Sequence, residues 1–186
     1  MGFRNSFLCT LLLTLFFVTA IVVSDIFSRP GYVIYEQYND SISKDSLNKK
    51  DTLVYKETMI DSAIAFGKKF LGLKYRYGGT TEAGFDCSGY VSYLFSKFGY
   101  KLPHSSAGMG TVGYPIDMKE ARKGDLILFK GRSTKSSRVG HVALIIAVDS
   151  GNITMMHSCH RGVLIEKYNN SAYYKARYLM CRRYNF

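Results

Sequence analysis

Phe85-Asp86-Cys87-Ser88-Gly89-Tyr90 puts one cysteine behind a glycine-rich turn and at the head of an amphipathic segment. Past it, Val91, Leu94, Phe95 and Phe98 recur at i, i+3, i+4 and i+7 before Gly99. That spacing predicts a helix with one apolar face, stopped at the glycine. Cys87 then sits in the first turn, where unpaired backbone N–H groups and the positive end of the helix dipole favour an anion, so its thiol is expected to ionise more readily than a free one. Asp86 suits the N-cap, and Gly78, Gly79 and Gly84 let the preceding loop turn tightly. A cysteine in this position is either a small buried hydrophobe or a nucleophile, and its partners decide which.

Partners lie further along. Gly140-His141-Val142-Ala143-Leu144-Ile145-Ile146-Ala147-Val148 is a near-continuous apolar run closed by Asp149-Ser150-Gly151-Asn152, which reads as a core strand and a turn. Ile153-Thr154-Met155-Met156-His157-Ser158 reads as its hairpin partner. Two histidines, His141 and His157, thus fall on adjacent strands. A thiol, an imidazole to take its proton and a polar group to orient that imidazole make up an activated cysteine nucleophile.

From Lys68 to the C-terminus, roughly two thirds of the chain, the sequence resembles the NlpC family of cell-wall cysteine peptidases. The matching segments stand in the family's order: Leu71-Gly72-Leu73-Lys74-Tyr75-Arg76-Tyr77-Gly78-Gly79, the Cys87 motif, and Gly99-Tyr100-Lys101-Leu102-Pro103-His104-Ser105-Ser106. They continue with Lys123-Gly124-Asp125-Leu126-Ile127-Leu128-Phe129, Gly140-His141-Val142, Met156-His157-Ser158, Ala176-Arg177 and Arg182-Arg183. The resemblance implies a papain-like α+β fold in which the nucleophile's helix packs on an antiparallel sheet that carries the histidines. It implies Cys87 as nucleophile, His141 as general base, His157 as the group that orients it, and Tyr75 beside the oxyanion site. It also implies the substrate: the peptide stem of peptidoglycan, cut between γ-D-glutamate and the following diamino acid. Asp86 and Ser88 flank the nucleophile and either line the peptide groove or, for Asp86, only cap the helix.

No cofactor is expected, and no metal: His104, His157 and His160 show no usual ligand spacing. Two other uses of the scaffold stay open, an amidase or acyltransferase and a wall-binding module without turnover; the intact Cys87, His141 and His157 argue against the latter. Met109 stands where the family usually has glutamine and His104 where it has a basic residue, which places substrate preference in question. The loop Gly131 to Val139 is a candidate gate over Cys87.

The rest of the chain gives an address. Phe7 to Val23 is an uncharged, mostly apolar run of 17 residues after a single basic residue, Arg4. Such a run is either a signal peptide, with small residues at Ala20 and Ser24 as cleavage sites, or a retained membrane anchor. Residues 1–24 are therefore read as leader or anchor, 25–54 as a polar tether and 55–186 as the catalytic domain, exported to the periplasm or cell envelope. Membrane contact is expected only through an uncleaved leader. A helix is expected from Thr58 or Asp61 towards Leu71, with Ile60, Ala63, Ile64, Phe70 and Leu71 in the core.

The net charge of +11 raises the question of nucleic acid, but the basic residues are scattered without interleaved aromatics, and nucleic acid is set aside as a partner. Lys130, Arg132, Lys135 and Arg138 cluster before His141, as a solvated loop or as an electropositive lip for an anionic wall polymer. Cys159 and Cys181 either pair in an oxidising compartment or stay as buried thiols.

Overall fold

Residues 49–185 are described by a computed structural model; the segment read as leader or anchor, and the one read as tether as far as residue 48, lie outside the described residues. The chain divides into units 1–52 and 53–186, and, apart from the first four residues of the helix that begins at Lys49, the second carries the features below.

Helix α1, Lys49–Lys68, begins earlier than Thr58 and stops before Leu71. Met59, Ile60, Ala63 and Ile64 are buried along it. Its end explains why Leu71 is not a core residue. The N–H groups of Lys69, Phe70 and Leu71 each bond the carbonyl three residues back, tightening the chain into a turn that leaves Leu71 46% exposed. Phe70 stays packed against the core.

A short antiparallel ribbon, β1 (Thr80–Thr81) and β2 (Gly84–Phe85), leads into α2, Cys87–Ser96. Val91, Leu94 and Phe95 are fully buried, as the periodicity requires; each such side chain contributes about 1.5–3 kcal/mol. Gly99, at φ +83°, ends the helix: the Tyr100 N–H reaches the Phe95 carbonyl and the Gly99 N–H that of Ser96, the paired bonds of a Schellman stop.

After the one-turn helix α3 (Ser106–Met109) come β3 (Tyr114–Ile116), β4 (Leu126–Lys130), β5 (Val139–Asp149), β6 (Asn152–Cys159) and β7 (Gly162–Lys167). A short helix α4 (Ala172–Lys175) and strand β8 (Tyr178–Arg183) close the chain. The six strands β3 to β8 form one antiparallel sheet in the order β3-β8-β4-β5-β6-β7. Both faces are covered, and for that reason β5 reads as a continuous apolar run instead of an alternating one. Leu128, Val142, Leu144 and Met156 pack on the side of α1 and α2, while Phe129, Ala143, Ile145 and Met155 pack with Tyr168 and Tyr174 on the other. The expected α+β architecture, a nucleophile helix on an antiparallel sheet, is the one observed.

Two segments far apart in sequence meet at a buried ion pair. Asp125 is 1% exposed and accepts from Arg183 at both oxygens, Nε to Oδ1 and Nη2 to Oδ2 at 2.8 Å each, and from the Arg122 N–H at 2.7 Å. This pair ties the entry of β4 to the end of β8. It also gives a physical role to Asp125 and Arg183, which the sequence presents only as parts of separate motifs.

Met109 belongs to the core, fully buried, with its carbonyl accepting from the Tyr184 hydroxyl at 2.9 Å. It therefore does not face a groove, and its side chain is unsuited to selecting substrate by direct contact. Cys159 and Cys181 are buried free thiols, so the open question of their pairing resolves against a bridge. Among the described residues no helix is long and apolar enough to cross a membrane.

Candidate active site

Local backbone chemistry places Cys87. Asp86 is extended at the N-cap, and its carboxylate accepts from the Gly89 N–H at 2.6 Å. The cap occupies the Gly89 donor and leaves the N–H groups of Cys87 and Ser88 at the helix start. The loop behind it is drawn in tightly: the Asp86 N–H bonds the Gly79 carbonyl at 2.9 Å, and a Cβ on Gly89 would lie 2.0 Å from that same oxygen. Only glycine fits at position 89. Ser88 is 4% exposed, with its hydroxyl within hydrogen-bond distance of Asp86 Oδ1 (3.1 Å) and the His104 carbonyl (2.9 Å). Asp86 and Ser88 thus form the cap and its support, which favours the capping role over groove lining for Asp86. His104 is itself exposed.

A buried hydrogen bond ties the cysteine's loop to the histidine strands: Ser158 Oγ donates to the Phe85 carbonyl at 2.8 Å. The thiol lies beside the start of β5, where the Val142 N–H, next in sequence to His141, is aimed at it together with the Ser88 N–H. No hydrogen bond joins Cys87 to the His141 ring in this resting geometry, as is common before substrate binds. Tyr75 is half-buried, bridges in parallel to Phe85, and is close enough to Cys87 for the thiolate's charge to raise its hydroxyl pKa, after burial the largest cause.

His141 follows an irregularity in the β4–β5 ladder. Phe129 opposes His141 and Lys130 opposes Val139, which makes Gly140 an extra residue on β5 and bends the strand at the point where His141 leaves it. On β6, His157 is fully buried. The rings meet edge to face, with His141 Nε2 2.8 Å from His157 Nδ1. Tyr174 stacks on His141 and meets His157 edge-on, and Phe129 lies against both His141 and Tyr174.

This enclosure sets the electrostatics. Burial, then the neighbouring His157, push the His141 pKa well below its ordinary value, to about 3, against an upward pull from Glu166. Burial also raises the Cys87 thiol, with Asp86 adding to the rise and the N–H groups of Val142 and Ser88 opposing it. The expectation of a depressed thiol pKa is thereby overturned for the resting state. The helix-start donors act in the expected direction, but removing the thiolate from water costs more. Both shifts disfavour the charged forms, thiolate and imidazolium.

Two residues that the sequence reading missed complete the cluster. His157 Nε2 lies 2.7 Å from Glu166 Oε1, and Arg161 Nη2 donates to both Glu166 oxygens at 2.9 and 2.8 Å. Bonds from His157 and Arg161 hold the Glu166 carboxyl at about 2, below the usual range, although partial burial pulls it up. The hairpin register contained the signal. With His160-Arg161 as the two-residue turn, His157 opposes Leu164, which puts Glu166 on the same face two positions on. The basic loop before His141 is exposed at Arg132, Lys135 and Arg138. Among the described residues no group of three or more His, Cys, Asp or Glu side chains is arranged to hold a metal ion.

The fold has counterparts among known proteins. Residues 72–183 match the model of the NlpC/P60 family. The chain is 38% identical over 126 residues to a gamma-D-glutamyl-L-lysine dipeptidyl-peptidase of Bacillus cereus, covering 67% of this chain and 36% of that protein. It is 39% identical over 114 residues to the murein DD-endopeptidase MepS/murein LD-carboxypeptidase of Escherichia coli, covering 60% of this chain and 56% of the relative. It is 33% identical over 129 residues to the gamma-DL-glutamyl hydrolase of Bacillus subtilis, covering 68% and 30%. The chain therefore spans about a third to just over half the length of these relatives. A crystal structure of an NlpC/P60 family protein from Bacillus cereus superposes with a TM-score of 0.60 at 38% identity, over 67% of this chain and 40% of that one.

Proposed function

The chain belongs to the NlpC/P60 family, and from that premise we propose that it is a cysteine endopeptidase hydrolysing peptidoglycan stem peptides between γ-D-glutamate and the following diamino acid. The observation that carries this reading is the pair of hydrogen-bonded histidines on β5 and β6, with His141 next in sequence to the residue whose N–H is aimed at the Cys87 thiol. The choice of bond is supported by two of the relatives, whose names specify γ-glutamyl linkages. Residues 1–24 serve as leader or anchor and 25–48 as tether, six residues shorter than the sequence suggests because helix α1 already begins at Lys49, so that the domain acts in the cell envelope.

The chemistry follows from neutral partners. As the scissile carbonyl docks over the α2 N-terminus, the neutral His141 imidazole takes the Cys87 proton and the sulfur adds to the carbonyl carbon. The oxyanion is met by the Cys87 N–H, left free by the Asp86 cap, with Tyr75 at its side. The His141 imidazolium then gives its proton to the departing amine, leaving a thioester. Water, deprotonated by the same imidazole, adds to the thioester; the sulfur departs and the proton returns to it. His157 holds the His141 ring through both half-reactions.

Digestion of purified peptidoglycan by the full chain, with products identified by mass spectrometry, tests the reading. Wild type should release fragments ending at γ-D-glutamate, and Cys87→Ala should release none. Cleavage by Cys87→Ala overturns the nucleophile, and products cut at the D,D cross-link overturn the choice of bond.

A further inference from the structure

We infer that Glu166, clamped by Arg161, is a positioning residue that sets the direction of the protons through both histidines and so leaves Nδ1 of His141 bare to accept a proton. The inference rests on the reading of Cys87 and His141 as nucleophile and base.

The argument is one of donors and acceptors. An ionised carboxylate only accepts hydrogen bonds. Glu166 is ionised at neutral pH, because the Arg161 guanidinium, which can only donate, bonds both of its oxygens. His157 Nε2, at 2.7 Å from that carboxylate, therefore carries a proton. In a neutral imidazole the other nitrogen is then an acceptor. His157 Nδ1 lies 2.8 Å from His141 Nε2, which must be the donor. The last nitrogen, His141 Nδ1, is left without a proton, as a general base requires.

The reverse arrangement places a bare His157 nitrogen against a carboxylate and an N–H on the base, where it can no longer accept the thiol proton. A pair of histidines alone does not choose between the two directions. A charged, acceptor-only group at the far end does, and Glu166 occupies that end.

The surroundings fit this role better than that of a surface ion pair. His157 is fully buried, so no solvent competes for its Nε2, and Glu166 is only 21% exposed although it lies near the outer edge of the sheet. Arg161 comes from the two-residue turn that joins β6 to β7, and the same hairpin thus supplies His157, Glu166 and the clamp. Glu166 also acts on charge: its negative field opposes the burial that disfavours the His141 imidazolium, the species formed when the thiol is deprotonated.

The test compares full-chain wild type with Glu166→Gln, Arg161→Met and, as a neighbouring charge outside the cluster, Lys167→Gln. The first readout is the tautomer of each histidine, by long-range ¹H–¹⁵N correlation at pH 8. Wild type should show protonated Nε2 and bare Nδ1 on both His141 and His157, and Glu166→Gln, whose amide can donate as well as accept, should lose that single pattern. The second readout is iodoacetamide alkylation of Cys87, which needs no substrate; it should slow about tenfold or more in Glu166→Gln, less in Arg161→Met, and not in Lys167→Gln. In stem-peptide hydrolysis the loss should fall on kcat, with KM within about twofold, because the removed group touches no substrate.

A protonated Nδ1 on either wild-type histidine overturns the proposal, whether or not the variants fold. So does Glu166→Gln with wild-type tautomers and alkylation. If the tautomers and alkylation behave as stated while no stem peptide is cut, the proton direction stands and the substrate assignment fails.

Discussion

The sheet carries two arginine–carboxylate pairs whose chemistry is nearly identical and whose surroundings are not. Asp125 is buried at the entry of β4, and its oxygens are taken by Arg183 and by the Arg122 backbone. Glu166 is partly exposed on β7, takes Arg161 in the same bidentate way, and gives its remaining capacity to the inward-facing ring of His157. The first pair closes on itself and joins two ends of the fold. The second is open at one side, and its charge is passed to the histidines. Burial decides how much each pair matters for stability, and the third partner decides whether it matters for chemistry.

The largest expected effect is at the closed pair. Asp125→Ala leaves the Arg183 charge without its partner and should cost about 3–5 kcal/mol, read from urea unfolding. A cost under about 1 kcal/mol would place this pair in the same class as the exposed one. Next is Gly89→Ala, which tests the backbone contact holding Cys87 in place. Its methyl would meet the Gly79 carbonyl, and a loss of about 1–3 kcal/mol is expected, with slower alkylation of Cys87. Arg161→Met should cost less than about 1 kcal/mol because Arg161 is 52% exposed, yet it should slow the thiol's reaction.

The pH dependence separates the same two regions. His141 and Glu166 both bind protons less readily in the folded chain than in the unfolded one. Between the two states the unfolded chain therefore binds more protons in acid, and stability falls as pH drops below the ordinary histidine pKa of about 6.5 and again below about 4.5. Unfolding midpoints measured from pH 7 to 3 should follow that course, and Glu166→Gln should flatten its lower part. For the thiol the sign is opposite. Burial keeps Cys87 protonated, and its alkylation should reach half-maximum above the value of about 8.5 for free cysteine. A midpoint below that would restore the thiolate–imidazolium pair.

How much of this was legible in the sequence depends on the range of the interactions. The helix from Cys87, its cap, its stop at Gly99 and the β5–β6 hairpin are local, and periodicity with turn residues placed them. Cys87, His141 and His157 were singled out from motifs, and the structure puts Cys87 at the first residue of α2 and the two histidines inside the paired strands β5 and β6. The thiol's raised pKa was not legible, since helix-start donors are visible in a short window and burial is not. Met109 and Leu71 failed for related reasons: the first is enclosed by distant strands, and the second is turned outward by a tightened helix end. Glu166 lay within reach of the hairpin register, but an isolated glutamate on an edge strand carries no signal until His157 is known to point at it.

The contrast between the two pairs is tested most directly by measuring unfolding free energy and kcat together for Asp125→Asn and Glu166→Gln. Asp125→Asn should lose stability and, in its folded fraction, keep kcat close to wild type. Glu166→Gln should keep stability within about 1 kcal/mol and lose kcat by about tenfold or more. Proportionate losses of stability and kcat in both variants would contradict the account, because the two pairs would then be doing the same work.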